Sequence, residues 1–299
     1  MLFIGQKRYE GYFKNDEQDG KWIGWYNNGQ KKEKSYHKNG KFKGKRVEWH
    51  KNGQKQKRSY YKNGKENGKR VTWYENGQKQ GEGYFKNGKE NGKIVFWYES
   101  GQKNEEGYWK NGGLHGKLIS WYDNGQKKKE GSGKNGKKTG KWIEWYYNGR
   151  KEREGNYNNG NQTGKWAMWY DNSQKYIEGF YNNGKQTDRC IIWHKNGQKK
   201  AEGYFKNGKQ TGKWIHWHEN GQKCCEKNYK NGKLNDKNLK GYRAEKINPR
   251  DQYYTKFLMN PTEDYKEEKP EKIERRREFV EKPEENEERA IIYYDRRKP

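Results

Sequence analysis

Tryptophan recurs at Trp25, Trp49, Trp73, Trp97, Trp121, Trp145, Trp169, Trp193 and Trp217, nine times at a constant spacing of 24 with no insertion. A chain held to one period over that length must build one small unit again and again. Other positions keep the same phase. Two residues before each Trp stands Ile, Val or Ala, from Ile23 to Ile215. The residue after it is Tyr or His, and six residues after it is always Lys, from Lys31 to Lys223. Ten asparagines run in phase from Asn15 to Asn231, and a basic residue recurs from Lys21 to Lys237, with Arg189 in one unit.

Each unit holds two strand-like runs. "KWIEWY" (Lys141 to Tyr146) alternates with period 2 and puts Ile143 and Trp145 on one face. "EGYF" (Glu82 to Phe85) is shorter and aromatic. Asn-Gly pairs such as Asn76-Gly77 separate the runs and predict tight hairpins, because both residue types tolerate positive φ. Frequent Gly and the absence of a 3.6-residue period exclude helices from this region. The expected fold is all-β: an elongated, single-layer antiparallel meander, a solenoid of 24-residue hairpins. At about 4.8 Å per strand, each unit adds about 10 Å and nine units about 90 Å. Trp and Ile or Val are expected to stack on their counterparts in neighbouring units, as in repeat proteins at large. Gly83, Gly107 and Gly203 are expected to leave room for a Trp ring from the facing strand.

Composition enters as a test of this reading. Hydrophobic residues are 27% and charged residues 36%, a balance that by itself suggests disorder. Disordered chains are poor in aromatics, whereas this one is 16% aromatic. Three cysteines (Cys190, Cys224, Cys225) do not make a disulfide framework and fit a reducing, intracellular setting. No apolar run of about 18 residues predicts a transmembrane helix. "MLFIGQKRYEG" lacks the basic and apolar regions of a signal peptide.

The unit "NGQKKAEGYFKNGKQTGKWIHW" (Asn196 to Trp217) resembles the MORN-type repeat in its second, bacterial and viral variant, often labelled antitoxin-like. The resemblance covers residues 1 to about 240. It implies an elongated β-meander and a role in protein association, sometimes in lipid contact. Some members append a lipid kinase or methyltransferase domain, and no such segment is found here.

The array is expected over 1–238 and a charged tail over 239–299. Gly5-Gln6-Lys7 begins in phase, with Leu2, Phe3 and Ile4 as a small cap. From Gly241 to Pro299 the chain carries 15 Lys/Arg and 15 Asp/Glu, so the net charge of +28 lies entirely in the array. The tail combines a partly helical charged segment (Glu271 to Ala290) with a strand-like run, Ile291 to Tyr294, suited to pairing with a sheet edge or a partner chain.

Two candidate sites follow. Lys21, Lys31, Lys45, Lys55, Lys69, Lys79, Lys93 and Lys103 form two rows along the sheet. With interleaved aromatics they suit nucleic acid or anionic lipid, or an acidic protein, or they keep a strand-rich chain soluble. His216, His218 and Cys225 lie around one turn. A tight turn pairs Cys225 with His216, and a bulge would instead pair Cys224 with His218; either set suits Zn²⁺ but lacks a fourth ligand. His50, His194 and His218 otherwise read as stand-ins for Tyr. No catalytic constellation, cofactor motif or phosphate loop is present, so the expectation is a non-enzymatic chain without a cofactor. It would act as a protein-binding, scaffolding or structural surface within a larger assembly such as a viral particle or cytoskeleton. The alternatives are an antitoxin-like binder of one partner, or an anionic-surface binder. Self-association along a sheet edge or through the tail is a further expectation.

Overall fold

A computed structural model describes residues 7–235. Leu2 to Ile4, the tail beyond residue 235 and its Ile291 to Tyr294 run lie outside the described residues. Within them the chain is one open antiparallel sheet of 22 strands and no helix. Successive hairpin arms pair side by side: Lys127–Lys134, for example, lies between Gly113–Trp121 and Lys137–Trp145, and where an arm is split both halves face the same neighbour, as Lys41–Phe42 and Gly44–Trp49 face Lys31–Lys38.

Two kinds of turn alternate along the sheet. At Asn63-Gly64 both residues are left-handed (φ 51 and 76), the geometry of a two-residue I′ turn. At Asn76-Gly77 only Gly77 is left-handed (φ 83). There the Gly77 N–H donates to the Tyr74 carbonyl (3.0 Å) and the Tyr74 N–H to the Gln78 carbonyl (2.9 Å). That is a three-residue loop with a bulge, so the two Asn-Gly pairs differ in kind although they read alike. Asn76 serves this loop with its side chain instead: its Oδ1 accepts the Gln78 N–H (2.9 Å).

The buried row is set three residues before the periodic tryptophans. Trp22, Ile94, Leu118, Trp142, Trp166, Cys190 and Trp214 are buried on one face of the sheet. A single layer covers them because each hairpin bends. In Lys137–Trp145 the register slips between the pairs Glu130–Ile143 and Ser132–Thr139, and Gly140 takes φ 66 at the slip. The bend folds the outer half of the hairpin over the Trp142 ring. The Trp142 indole N–H then donates to the Ser132 carbonyl (2.9 Å). Edge-to-face contacts run from unit to unit through Trp142, Tyr157, Trp166 and Tyr181, with ring centroids 5.1 to 6.1 Å apart.

The ring lies flat on a bare backbone. A Cβ on Gly131 would stand 2.1 Å from Trp142 Cδ2, and one on Gly203 would stand 2.3 Å from Trp214 Cδ2. At Gly83 the space is taken by Ile94 in place of a Trp ring, and at Gly107 by the Trp109 ring of its own strand (2.9 Å) with Leu118 of the facing strand (3.0 Å). Gly131→Ala therefore forces a core ring out of place and is expected to cost about 2–3 kcal/mol, read as a lower urea midpoint. An unchanged midpoint would contradict this packing. The loop position of Gly77 is held by Ser173 in its own unit, at φ 72. Ser173→Gly removes the strain and is expected to raise stability by about 1 kcal/mol in the same titration.

Candidate binding face

The face opposite the core carries the periodic residues. All nine tryptophans of the 24-residue row are half-buried there. Among the described residues no ring contact joins one of them to the next. The contact is with lysine: the Lys79 ammonium lies 5.3 Å from the Trp97 ring, Lys103 5.7 Å from Trp121, and Lys151 5.1 Å from Trp169. Lys7 covers Trp25 in the same way at 5.0 Å.

A row of glutamates organises both lysine rows. Lys69 (3.3 Å) and Lys79 (3.1 Å) both bind Glu82, and Lys93 (3.3 Å) and Lys103 (3.0 Å) both bind Glu106. The arrangement repeats at Glu130, Glu154, Glu178, Glu202 and Glu226, with Arg189 and Lys199 serving Glu202. The Lys103 hydrogen bond holds the Glu106 carboxyl below its ordinary range, against partial burial and with help from Lys93. So the ladder from Lys69 onward is compensated by carboxylates of its own sheet.

The pattern breaks near the start of the array. In register with Val71 stands Glu82, but in register with Ile23 and Val47 stand Lys34 and Arg58. Lys21, Lys31, Lys45 and Lys55 thus lack the carboxylate that Lys69, Lys79, Lys93 and Lys103 have. The acidic residues of these units lie on the core face. There Glu33 binds Arg46 (2.7 Å), and Glu66 binds both Arg70 (2.9 Å) and Lys57 (2.8 Å).

A second row on the outer face is aromatic and open to solvent. Tyr36, Tyr60, Tyr84 and Tyr108 recur once per unit, Tyr84 and Tyr108 being about half exposed (52% and 50%). Each stands across the strand pair from a ladder lysine: Lys21, Lys45, Lys69 and Lys93 respectively. The row is interrupted at Ser132 and Asn156 and resumes at Phe180 and Tyr204. Its period was visible in the sequence, but its exposure was not, since tyrosine serves cores and surfaces alike.

The row after the tryptophans is spoken for from Tyr26 to His194. The Tyr122 hydroxyl donates to the Trp145 carbonyl (2.8 Å), and Tyr26, Tyr74, Tyr98, Tyr146 and Tyr170 do the same one unit on. At His50 and His194 the ring Nε2 makes that bond, to the Trp73 and Trp217 carbonyls (2.9 Å each). A carbonyl only accepts, so both rings carry the proton on Nε2.

Around the last turn, His216 is in register with Cys225, and Cys224 is the extra residue of the bulge. Among the described residues no three His, Cys, Asp or Glu side chains are grouped as metal ligands would be. His216, His218 and Cys225 therefore form no such group. Cys190 lies fully buried in the core, where burial pushes its thiol up to about 12. Burial, with Lys227 and Lys200 nearby, lowers the His216 pKa to about 4.

These features define an open, single-sheet repeat protein with a packed face and a patterned face. The family model for the MORN repeat variant matches residues 18–39, 42–63, 66–87, 114–135, 138–159, 189–207 and 210–231, together about half of the chain. The chain belongs to that family. No curated protein matches it. A solved structure titled "Crystal Structure of TcdB2-TccC3-Cdc42" is similar over 71% of this chain and 14% of that chain, at 10% identity and a TM-score of 0.19. This chain thus spans about a seventh of that one. No helix of the described residues is long and apolar enough to cross a membrane.

The His216 shift fixes a pH dependence. Its folded pKa lies below the ordinary value of about 6.5, so between 4 and 6.5 the unfolded chain binds more protons than the folded one. Stability from this group is complete above 6.5 and is lost as pH falls towards 4. His216→Phe is expected to flatten the decline in urea midpoint between pH 7 and pH 5 relative to the unaltered chain. Parallel curves for the two would contradict this.

Proposed function

We propose that the chain is a non-enzymatic binding and scaffolding surface, with its outer face as the contact and protein as the principal partner. The observation that supports this reading is the row Tyr36, Tyr60, Tyr84 and Tyr108, exposed at one per unit and each set beside a ladder lysine. Rigid aromatic rings beside basic groups are the residue types enriched at protein interfaces. At about 10 Å per unit the row extends for about 30 Å, ample for a partner held along its length. Family membership supports the same class of role, a repeat-based binding or structural protein.

The reading of the lysine ladder as a continuous track for nucleic acid or anionic lipid has less support. Seven glutamates stand within the two rows and neutralise much of the charge from Lys69 onward. A continuous phosphate track would be better served by the lysines alone.

The test is a tagged pull-down at two salt concentrations with partners identified by mass spectrometry. A variant with Tyr36, Tyr60, Tyr84 and Tyr108 changed to Ser is run in parallel. The expected outcome is partner capture that persists at the higher salt and is lost in the variant, whose circular dichroism stays that of the original. Capture that disappears at the higher salt but ignores the tyrosines would favour the electrostatic reading.

A further inference from the structure

The outer face contains one anion site seven times over, already filled. At Glu82, for instance, two lysine ammoniums close on a single carboxylate at 3.3 and 3.1 Å. The sheet repeats the same backbone register one and two units earlier. There the pairs are Lys21 with Lys31 and Lys45 with Lys55, and the central carboxylate is replaced by Lys34 and Arg58. Each pair therefore surrounds a third cation. No carboxylate of the described residues lies within ion-pair distance of these six groups; Glu10, held by Lys7 at 2.8 Å, feels Lys21 only at longer range. Arg58 keeps its guanidinium over the Trp73 ring, 5.9 Å from the centroid, and its buried Nε has no hydrogen-bond partner. On the opposite face Glu33, Glu48 and Glu66 are engaged with Arg46, Arg70 and Lys57, so they do not offset the outer charge directly.

We infer that Lys21, Lys31, Lys34, Lys45, Lys55 and Arg58 form a two-pronged docking site for an acidic segment of a partner protein, whose carboxylates take the places that Glu82 and Glu106 fill further along. This rests on the protein-binding role proposed above and names the chemistry of one partner contact. The ligand is a carboxylate because the same pair of ladder positions grips a carboxylate at seven other units. The prongs are one unit apart, about 10 Å by strand spacing. A segment in the polyproline II conformation advances about 3.1 Å per residue and returns to the same edge every third residue, so glutamates three apart stand about 9 Å from each other. The spacing of single repeat units thus selects an acidic segment with that period over one with adjacent carboxylates. The exposed Tyr36 and Tyr60 rings flank the two prongs across the strand pairs. Glu10 before the site and Glu82 after it set its limits, because each already fills the corresponding carboxylate position.

The probe is a labelled peptide of four Glu-Pro-Pro repeats, titrated by fluorescence anisotropy into the full chain at low ionic strength. Lys34→Glu with Arg58→Glu restores to both prongs the residue the other units use, so it fills the site without disturbing the fold. The expected result is saturable binding that weakens with salt, falls at least tenfold in this double variant, and is several-fold stronger than for a peptide of the same composition with its glutamates adjacent. Equal binding by the double variant overturns the proposal. So does binding lost in the variant for a single-stranded oligonucleotide but absent for the peptide, which would assign the site to phosphates. Peptide binding that emerges only when Glu284, Glu285, Glu287 and Glu288 are changed to Gln gives the site to the chain's own tail and overturns the partner. Partner capture that is unchanged in the tyrosine variant would sink the tyrosine-row reading and leave the peptide result standing, so the two readings fail separately.

Discussion

The structure depends on a bond between units. From Tyr26 to His194 the Tyr or His after the periodic tryptophan bonds a backbone carbonyl 23 residues further on, as Tyr98 does to Trp121 at 2.8 Å and His50 to Trp73 at 2.9 Å. A turn asparagine makes a second tie of the same span: Asn124 Nδ2 donates to the Tyr147 carbonyl at 2.8 Å. Both ties end on the backbone, so they are indifferent to the side chains of the next unit but not to its length. One inserted residue would move the accepting carbonyl by more than a hydrogen bond tolerates. This is the physical reason that the 24-residue spacing survives nine units while much of the sequence between drifts.

With length fixed in this way, the two faces are free to specialise. The inner face is closed by bending each hairpin over its own ring, as the slip at Gly140 does for Trp142. Stability is then a sum of similar local contacts and nearest-neighbour terms, without one central core. That tolerates variety in the buried row: an indole at Trp142, a thiol at Cys190, a guanidinium paired with Glu66 at Arg70. The outer face buries a row of its own (Val47, Val71, Val95 and Ala167) beneath the charge ladder, and beside it carries the open tyrosines.

Much of the architecture was legible in the sequence, because period, strand alternation and turn residues are local signals. The all-β meander followed from them. The difference between the turns at Asn63-Gly64 and Asn76-Gly77 was not legible, since the same dipeptide serves two loops that differ only in how the flanking strands close. Nor was the identity of the buried row. The periodic Trp73 and Trp97 draw the eye, yet they are half-buried on the outer face, each under a cation: Arg58 at 5.9 Å and Lys79 at 5.3 Å. The row that is buried varies from Trp22 to Leu118 to Cys190, so it has no sequence signature. The lysine rows could be read from spacing, but their compensation depends on which strands lie side by side. Lys69 and Glu82 are 13 residues apart and meet only across the sheet.

That cross-strand dependence also explains why departures from the repeat carry more meaning here than the repeat itself. Each ladder carboxylate is shared by two lysines and offsets one of their two charges, so exchanging one Glu for a cation changes the local charge by two and strands both partners. At Lys34 and Arg58 the exchange occurs in adjacent units, and acidic residues appear on the other face at Glu33, Glu48 and Glu66. Exposed Lys–Glu pairs contribute little each to stability, so the sheet loses little by giving them up. What changes is the field over the outer face: two lysines and one glutamate leave each ladder site a net +1 where the carboxylate is kept, and three cations give +3 at Lys34 and at Arg58. A repeat protein with identical units would present one potential along its whole length and no preferred address. Two substitutions that the fold tolerates suffice to give this one a position along the array at which an acidic partner is held.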